Sequence, residues 1–245
     1  MLAVVVLAAG KGKRMESDIP KVLHPLLGRP LIDYVLDSAA TLHPQKTVIV
    51  VGHEQERVRA HLKDRDLQFA VQEPPLGTGH AVLQTEAFLS DLVGDIVVLS
   101  GDVPLLRSET LGRLVDIHRQ RRNDATVLSA IAEDPIGYGR IVRDGNGTFA
   151  GIVEEKDAAP QIKQIKEVNS GIYAFITHGF FEYLRQIQPN SRKGEYYLTD
   201  VIAIMAKARR AVEAHPMADF GEVRGINTKE ELEAAEKAYG KPPKG

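Results

Sequence analysis

The run Leu2-Ala3-Val4-Val5-Val6-Leu7 passes without a break into Ala8-Ala9-Gly10-Lys11-Gly12-Lys13-Arg14-Met15. A short, continuous apolar stretch rich in valine describes a strand buried on both faces, the kind found inside a parallel sheet. Small residues directly after such a strand let the backbone approach a ligand and point its N–H groups at anionic oxygens. Lys11, Lys13, Arg14 and Lys21 add four positive charges within eleven residues. The ligand that satisfies such a loop is a highly charged anion, most simply a nucleoside triphosphate. It is neither of the two common phosphate cradles. Met15 stands where a dinucleotide fingerprint would have its third glycine or alanine, and no glycine followed by lysine and Ser/Thr closes a Walker A loop.

The remainder of the first half alternates strand and helix. Apolar β-branched runs at Val4–Leu7, Thr47–Val51 and Asp95–Leu99, with a weaker one at Gln68–Val71, are separated by helical patterns. Those patterns fall at Pro30–Thr41, Gln55–Leu62, Gly79–Leu89 and Ser108–Arg121. This alternation predicts an α/β fold: a doubly wound, Rossmann-like, mostly parallel sheet with helices on both faces. Ligands of such sheets bind beyond the carboxyl ends of the strands, where the basic loop falls. The second half reads as a smaller β-rich lobe. Its strands are Thr126–Ile131, Gly139–Arg143, Phe149–Val153 and Gly171–Ile176, with a hairpin turn at Asp144-Gly145-Asn146-Gly147. Helices are expected near Gly179–Gln186, Leu198–Ala208 and Thr228–Ala238, the last capped by Thr228 with Glu231 three residues on. No linker separates the halves, so residues 1–240 read as one domain (1–125 and 126–240), with a frayed tail at 241–245.

Composition excludes several classes. A chain of 245 residues can bury a substantial core, and its formal net charge of −2 gives no basic excess for general nucleic-acid binding. The absence of cysteine removes disulfides, thiol nucleophiles and zinc–cysteine sites. Leu2–Ala9 is too short to span a membrane and lacks a preceding basic stretch, so a cytoplasmic location is expected. The eight histidines show no metal-ligand spacing, and His24, His53 and His80 read as structural.

Two further motifs carry chemistry. Asp102, in Ser100-Gly101-Asp102-Val103-Pro104, follows a buried strand and so sits at the ligand edge of the sheet. A carboxylate beside a polyphosphate is a natural Mg²⁺ ligand, although a turn or cap role is the plain alternative. In Gln72-Glu73-Pro74-Pro75-Leu76-Gly77-Thr78-Gly79-His80-Ala81, glutamine and backbone amides can read the edge of a base, while Thr78 could cap the helix starting near Gly79.

Taken together, Leu7 to Met15, Pro20-Lys21-Val22-Leu23, Leu76 to Ala81 and Gly101 to Pro104 resemble the sugar-1-phosphate nucleotidyltransferases. Gly137 to Ile141, Ile152 to Asp157, Asn169 to Tyr173 and Glu195 to Asp200 extend the match. They bring it closest to the uridylyltransferase domains of the bifunctional uridylyltransferase/acetyltransferases. The resemblance implies transfer of a uridylyl group from UTP to N-acetylglucosamine 1-phosphate, giving UDP-N-acetylglucosamine and pyrophosphate with Mg²⁺ as cofactor. It implies that Arg14 and Lys21 are catalytic, and that Leu7, Ala8, Ala9, Gly10, Gln72, Gly77 and Thr78 bind the nucleotide. Gly139, Glu154, Asn169, Tyr197 and Thr199 would bind the sugar, making the second half the sugar-binding lobe. Asp102 and Asn227 would carry Mg²⁺. Relatives acting on glucose 1-phosphate or N-acetylmuramic acid 1-phosphate, with UTP or dTTP, share part of the sugar-side pattern. A non-catalytic nucleotide-sugar sensor is disfavoured by the intact Arg14, Lys21, Asp102 and Asn227. No hexapeptide repeat is present, so acetyl transfer is not expected of these residues and the oligomer is left open. Ser100 departs from the pattern, which leads one to expect an aromatic residue there.

Overall fold

The structure is a computed structural model; it describes residues 1–239 apart from Lys11, Glu16 and residues 190–193. The strands are β1 (Leu2–Leu7), β2 (Pro25–Leu26), β3 (Arg29–Pro30), β4 (Lys46–Val51), β5 (Gln68–Val71) and β6 (Asp95–Ser100). They continue as β7 (Ala125–Ile131), β8 (Arg140–Arg143), β9 (Phe149–Val153), β10 (Glu167–Ile176) and β11 (Val212–Ala218). The main sheet runs β11-β7-β10-β6-β1-β4-β5, with β8 and β9 attached to β10 as a hairpin. β1 pairs parallel with β4 on one side and β6 on the other. The chain therefore winds outward through β4 and β5, then returns to the far side of β1, and the order reverses between β1 and β6.

β1 is buried on both faces. Ala3 and Val5 join a core with helices Thr78–Leu83, Phe180–Leu184 and Leu198–Lys207. Val4 and Val6 face the opposite core with helices Leu31–Ala40, Gln55–His61 and Ser108–Arg121. No helix among the described residues is long and apolar enough to cross a membrane.

β10 makes the sheet mixed. It pairs antiparallel with β6 through Tyr173–Ile176 and with β7 through Glu167–Asn169 and Ile172–Phe175. A bulge between Asn169 and Ile172, with Gly171 at φ +77°, bends it just as it outruns β6. Beyond the bulge Val168 pairs with Arg140 of β8, so the β8–β9 hairpin takes up the side that β6 has vacated. The hairpin turn forms where the sequence places it: Asp144 Oδ1 accepts from the N–H groups of Asn146 and Thr148, 2.9 Å each.

The structure differs from the sequence reading at several places. The expected helix Gly79–Leu89 is two, Thr78–Leu83 and Glu86–Leu89. Between them the fully buried Thr85 donates its hydroxyl to the Val82 carbonyl at 2.7 Å, competing with helix propagation. β10 begins four residues before the expected Gly171, because the bulge hides its continuity. β11 is unanticipated: Pro216 and two polar residues interrupt its pattern, and it is tolerated because β11 lies at the edge of the sheet. Short helices at Pro160–Lys163 and Phe220–Val223 also went unread. The tail 241–245 lies outside the described residues.

Arg140 is the largest fully buried side chain, 1% exposed. It donates to Glu155 at 2.7 Å, to the Lys163 carbonyl at 3.2 Å and to the Tyr138 carbonyl, tying β8 to the chain that follows β9. Removing one member of such a pair leaves the others desolvated and unmatched. Arg140→Ala is expected to lower the unfolding free energy by about 3–5 kcal/mol in denaturant titration.

Candidate active site

Parallel register decides where the site lies. Leu7 pairs with Val50 of β4 and with Ser100 of β6, so these strands end level with one another. Ala8 N–H then donates to the Val50 carbonyl at 2.8 Å and Gly101 N–H to the Leu7 carbonyl at 2.9 Å. Two loops thus leave the sheet side by side, one carrying the glycines and the other Asp102. A cavity of about 270 Å³ opens there, lined by Leu7, Ala8, Ala9, Gly10, Lys21, Gln72, Gly77, Thr78 and Asp102 among others. Nine expected residues therefore line one cavity. Ser100 lies in it too, in a position where an aromatic ring was expected.

Charge converges at one side of this cavity. Lys21 Nζ bonds to Asp102 Oδ2 and, at 2.7 Å, to Asn227 Oδ1. Arg14 Nη2 reaches the same Asn227 oxygen at 2.9 Å. Asn227 does not line the cavity but bonds to Lys21, which does, and Arg14 is joined to it through Asn227. Lys11 lies outside the described residues, as does the side chain of Lys13. Asn227 is set by four hydrogen bonds around it. Ile226, buried with Leu26, Leu31 and Ala235, donates its N–H to the Asp102 carbonyl at 2.9 Å. Glu231 Oε2 accepts from Asn227 N–H at 2.6 Å and from Thr228 N–H at 3.2 Å, while Thr228 Oγ1 accepts from Glu231 N–H at 3.2 Å. The expected capping box is thus also the clamp on Asn227. Gly225 packs beside the pair: a Cβ there would stand 3.4 Å from both Asp102 Oδ2 and Asn227 Nδ2.

This corner fits a divalent cation. Among the described residues no group of three or more His, Cys, Asp or Glu side chains is placed to hold a metal. Asp102 and Asn227 nevertheless turn two hard oxygen donors toward a single cation, the Lys21 ammonium. Magnesium needs only one or two such protein oxygens when phosphate and water complete its shell.

The opposite wall is shaped by Gln72, whose Nε2 donates to the Gly77 carbonyl at 2.8 Å. Thr78 does not cap its helix: the N-cap is Gly77, with φ +104°, and Thr78 Oγ1 accepts from Leu198 N–H at 3.0 Å. Tyr196 N–H donates to the Leu76 carbonyl at 2.7 Å and Gly79 N–H to the Tyr196 carbonyl at 2.8 Å. Tyr196 to Leu198 is therefore strapped along the Leu76–Gly79 loop.

That strap carries the second expected set. Thr199 Oγ1 donates to Glu154 Oε1 at 2.8 Å. Asn169 N–H donates to the Gly139 carbonyl at 2.8 Å, and a Cβ on Gly139 would sit 3.6 Å from Glu154 Oε2. Burial and the neighbouring Glu195, Glu154 and Asp157 push the Tyr197 hydroxyl up to about 12, so it stays protonated and able to donate. Gly139, Glu154, Asn169 and Thr199 thus cluster beside the strap without lining the main cavity. Tyr138 was not singled out by itself; its ring meets Phe220 edge-on at 5.2 Å.

The fold is an α/β domain with a mixed, mostly parallel sheet, and the cavity lies at the sheet's switch point. The chain belongs to the MobA-like NTP transferase domain family, whose model matches residues 4–198; Asn227 and Glu231 lie beyond that span. The chain is 47% identical over 233 residues to the bifunctional protein GlmU of Streptococcus mutans serotype c, covering 95% of this chain and 50% of that one. It spans about half the length of the curated relatives it matches. In three dimensions it resembles a UDP-glucose pyrophosphorylase complexed with UDP-glucose, at TM-score 0.76 and 21% identity, covering 97% of each chain. It also resembles a putative glucose-1-phosphate thymidylyltransferase from Bacillus anthracis, at TM-score 0.77 and 21% identity, covering 100% of this chain and 98% of that one.

Two glycines of the site should respond differently to substitution. A Cβ on Gly77 would stand 2.6 Å from the Tyr196 carbonyl oxygen, whereas one on Gly10 meets nothing within 4 Å. Gly77→Ala is expected to lower stability by about 1–3 kcal/mol, and Gly10→Ala by less than about 0.5 kcal/mol, in parallel unfolding titrations.

Proposed function

We propose that the protein transfers a uridylyl group from UTP to N-acetylglucosamine 1-phosphate, releasing pyrophosphate. The observation that carries this reading is the convergence of Lys21, Arg14, Asp102 and Asn227 at the mouth of a cavity walled by glycine-loop backbone and Gln72. The 47% identity to a bifunctional GlmU over 95% of the chain supports the choice of base and sugar. Residues 1–125 hold the nucleotide and residues 126–240 the sugar phosphate, apart from Asn227, which crosses back to the phosphates.

The reaction joins two anions. An oxygen of the sugar phosphate attacks the α-phosphorus of UTP, the bond from that phosphorus to the bridging oxygen breaks, and pyrophosphate leaves with that oxygen. The nucleophile is already ionised, so no general base is required, and alignment with charge compensation supplies the rate. The Gly10 loop and Gly77 offer backbone groups to the nucleotide, and Gln72 reads the uracil edge. Lys21 exchanges Asp102 and Asn227 for phosphate oxygens when the triphosphate arrives. Arg14 acts beside it on charge developing at the leaving pyrophosphate. Glu154 and Thr199 receive sugar hydroxyls, the Asn169 amide and the Gly139 backbone fit the acetamido side, and the protonated Tyr197 hydroxyl donates. Mg²⁺, held by Asp102 and Asn227, supplies charge neutralisation and orientation of the phosphates. The neutral amide of Asn227 does this without adding a second negative charge beside them.

The test is pyrophosphate release by the purified protein with Mg²⁺. UTP, CTP and dTTP are each paired with N-acetylglucosamine, glucose and N-acetylmuramic acid 1-phosphates. UTP with N-acetylglucosamine 1-phosphate is expected to give the highest kcat/KM; a different best pair overturns the substrate assignment, and tight UTP binding without turnover overturns catalysis. Lys21→Ala is expected to lower kcat by about two to four powers of ten, each tenfold corresponding to about 1.4 kcal/mol. Asp102→Asn should raise the Mg²⁺ concentration needed for half-maximal rate, read from a metal titration at saturating UTP.

A further inference from the structure

A glutamine amide selects a base only when one of its two ends is held toward it. Uracil presents a ring N–H donor where cytosine presents a bare ring nitrogen, so turning the amide over exchanges the base it matches. Gln72 is buried, 5% exposed, and forms part of the cavity wall. Its Nε2 lies 2.8 Å from the Gly77 carbonyl oxygen and 3.2 Å from His80 Nδ1. A carbonyl only accepts, so the NH₂ end faces Gly77, and its second hydrogen falls to Nδ1. That nitrogen must then carry the lone pair, and the ring proton sits on Nε2. No hydrogen bond among the described residues uses Gln72 Oε1, which is left as the side chain's free acceptor.

Gln84 competes for the same ring. Its Nε2 lies 3.2 Å from His80 Nε2 and 3.0 Å from the His80 carbonyl oxygen. A neutral imidazole has one lone pair and cannot accept from both glutamines. A carbonyl fixes the NH₂ end of each amide, Gly77 for Gln72 and His80's own for Gln84, so burial decides: the partly exposed Gln84 can leave the ring for water, whereas the buried Gln72 cannot. Burial pushes the His80 pKa down, which keeps the ring neutral.

We propose that His80 is a positioning residue for base selection: its bare Nδ1, together with the Gly77 carbonyl, locks Gln72 with Oε1 toward the cavity. A flipped Gln72 would set Oε1 against the Gly77 carbonyl and force the His80 proton from Nε2 to Nδ1, whereas without His80 only the Gly77 clash remains. This rests on the uridylyl reading and names what enforces it.

The experiment compares kcat/KM for UTP and CTP in the wild type, His80→Leu and His80→Asn, and records the ¹⁵N shifts of the His80 ring in the wild type. His80→Leu is expected to lose about tenfold of the UTP-over-CTP ratio, the worth of one buried hydrogen bond. His80→Asn, whose Oδ1 can accept where Nδ1 did, should recover most of it. The ¹⁵N spectrum should show the Nε2–H tautomer. A ratio unchanged in His80→Leu, or an Nδ1–H tautomer, overturns the proposal, and the tautomer decides alone if the leucine variant does not fold. A wild type with no preference for UTP overturns the uridylyl reading and the selection role with it. A preference that is undiminished in His80→Leu overturns only the role of His80.

Discussion

The parallel register of β1 against β6 is the constraint on which the rest depends. With Leu7 level with Ser100, both strands end at one height, and the loops that follow have nowhere to go but side by side. That register is held by alternate valines of β1 packing into opposite cores, so a slip would break two cores together. The strand order reverses at the same pair of strands, which leaves a crevice free of crossing connections. The cavity, the glycine loop and Asp102 all occupy that crevice.

Charge is handled by contacts distant along the chain. Lys21 sits shortly after the first loop, Asp102 after β6 and Asn227 before the last helix, yet the three share one ammonium. A lysine facing a carboxylate is matched while it waits for phosphate, so a positive site for a polyphosphate need not hold an uncompensated cation. The last helix is anchored through Ile226 and Ala235 to Leu26 and Leu31, and Glu231 turns that anchorage into a fixed position for Asn227. The second half joins through β10, whose bulge releases it from β6 and hands its edge to the β8–β9 hairpin. The Tyr196–Leu198 strap closes the connection by bonding to the loop beside Gln72.

Much of this was legible in the residues. The apolar runs of β1, β4 and β6 are local and continuous, and strand–helix alternation states the winding. The Asp144–Gly147 turn and the Thr228–Glu231 box are written in adjacent side chains whose chemistry needs no distant partner. β11 was not legible, because an edge strand with Pro216 owes its existence to pairing with β7 rather than to its own pattern. The break at Thr85 and the bulge before Ile172 were hidden for the same reason: each is a choice between local and tertiary hydrogen bonds. The plain alternative for Thr78, capping its helix, does not form, since its hydroxyl accepts from Leu198, 120 residues away.

The sequence alone determined the fold class, the glycine loop at a strand end and which residue types could meet a polyphosphate. It did so because strand burial, helix periodicity and turn chemistry act over a few residues. Only the tertiary structure decided that Asp102 and Asn227 face the same lysine, that Glu231 holds Asn227, and that Gln72 is pinned between Gly77 and His80. Those are matters of direction as well as proximity, and a side chain's direction is set by whatever the fold packs against it.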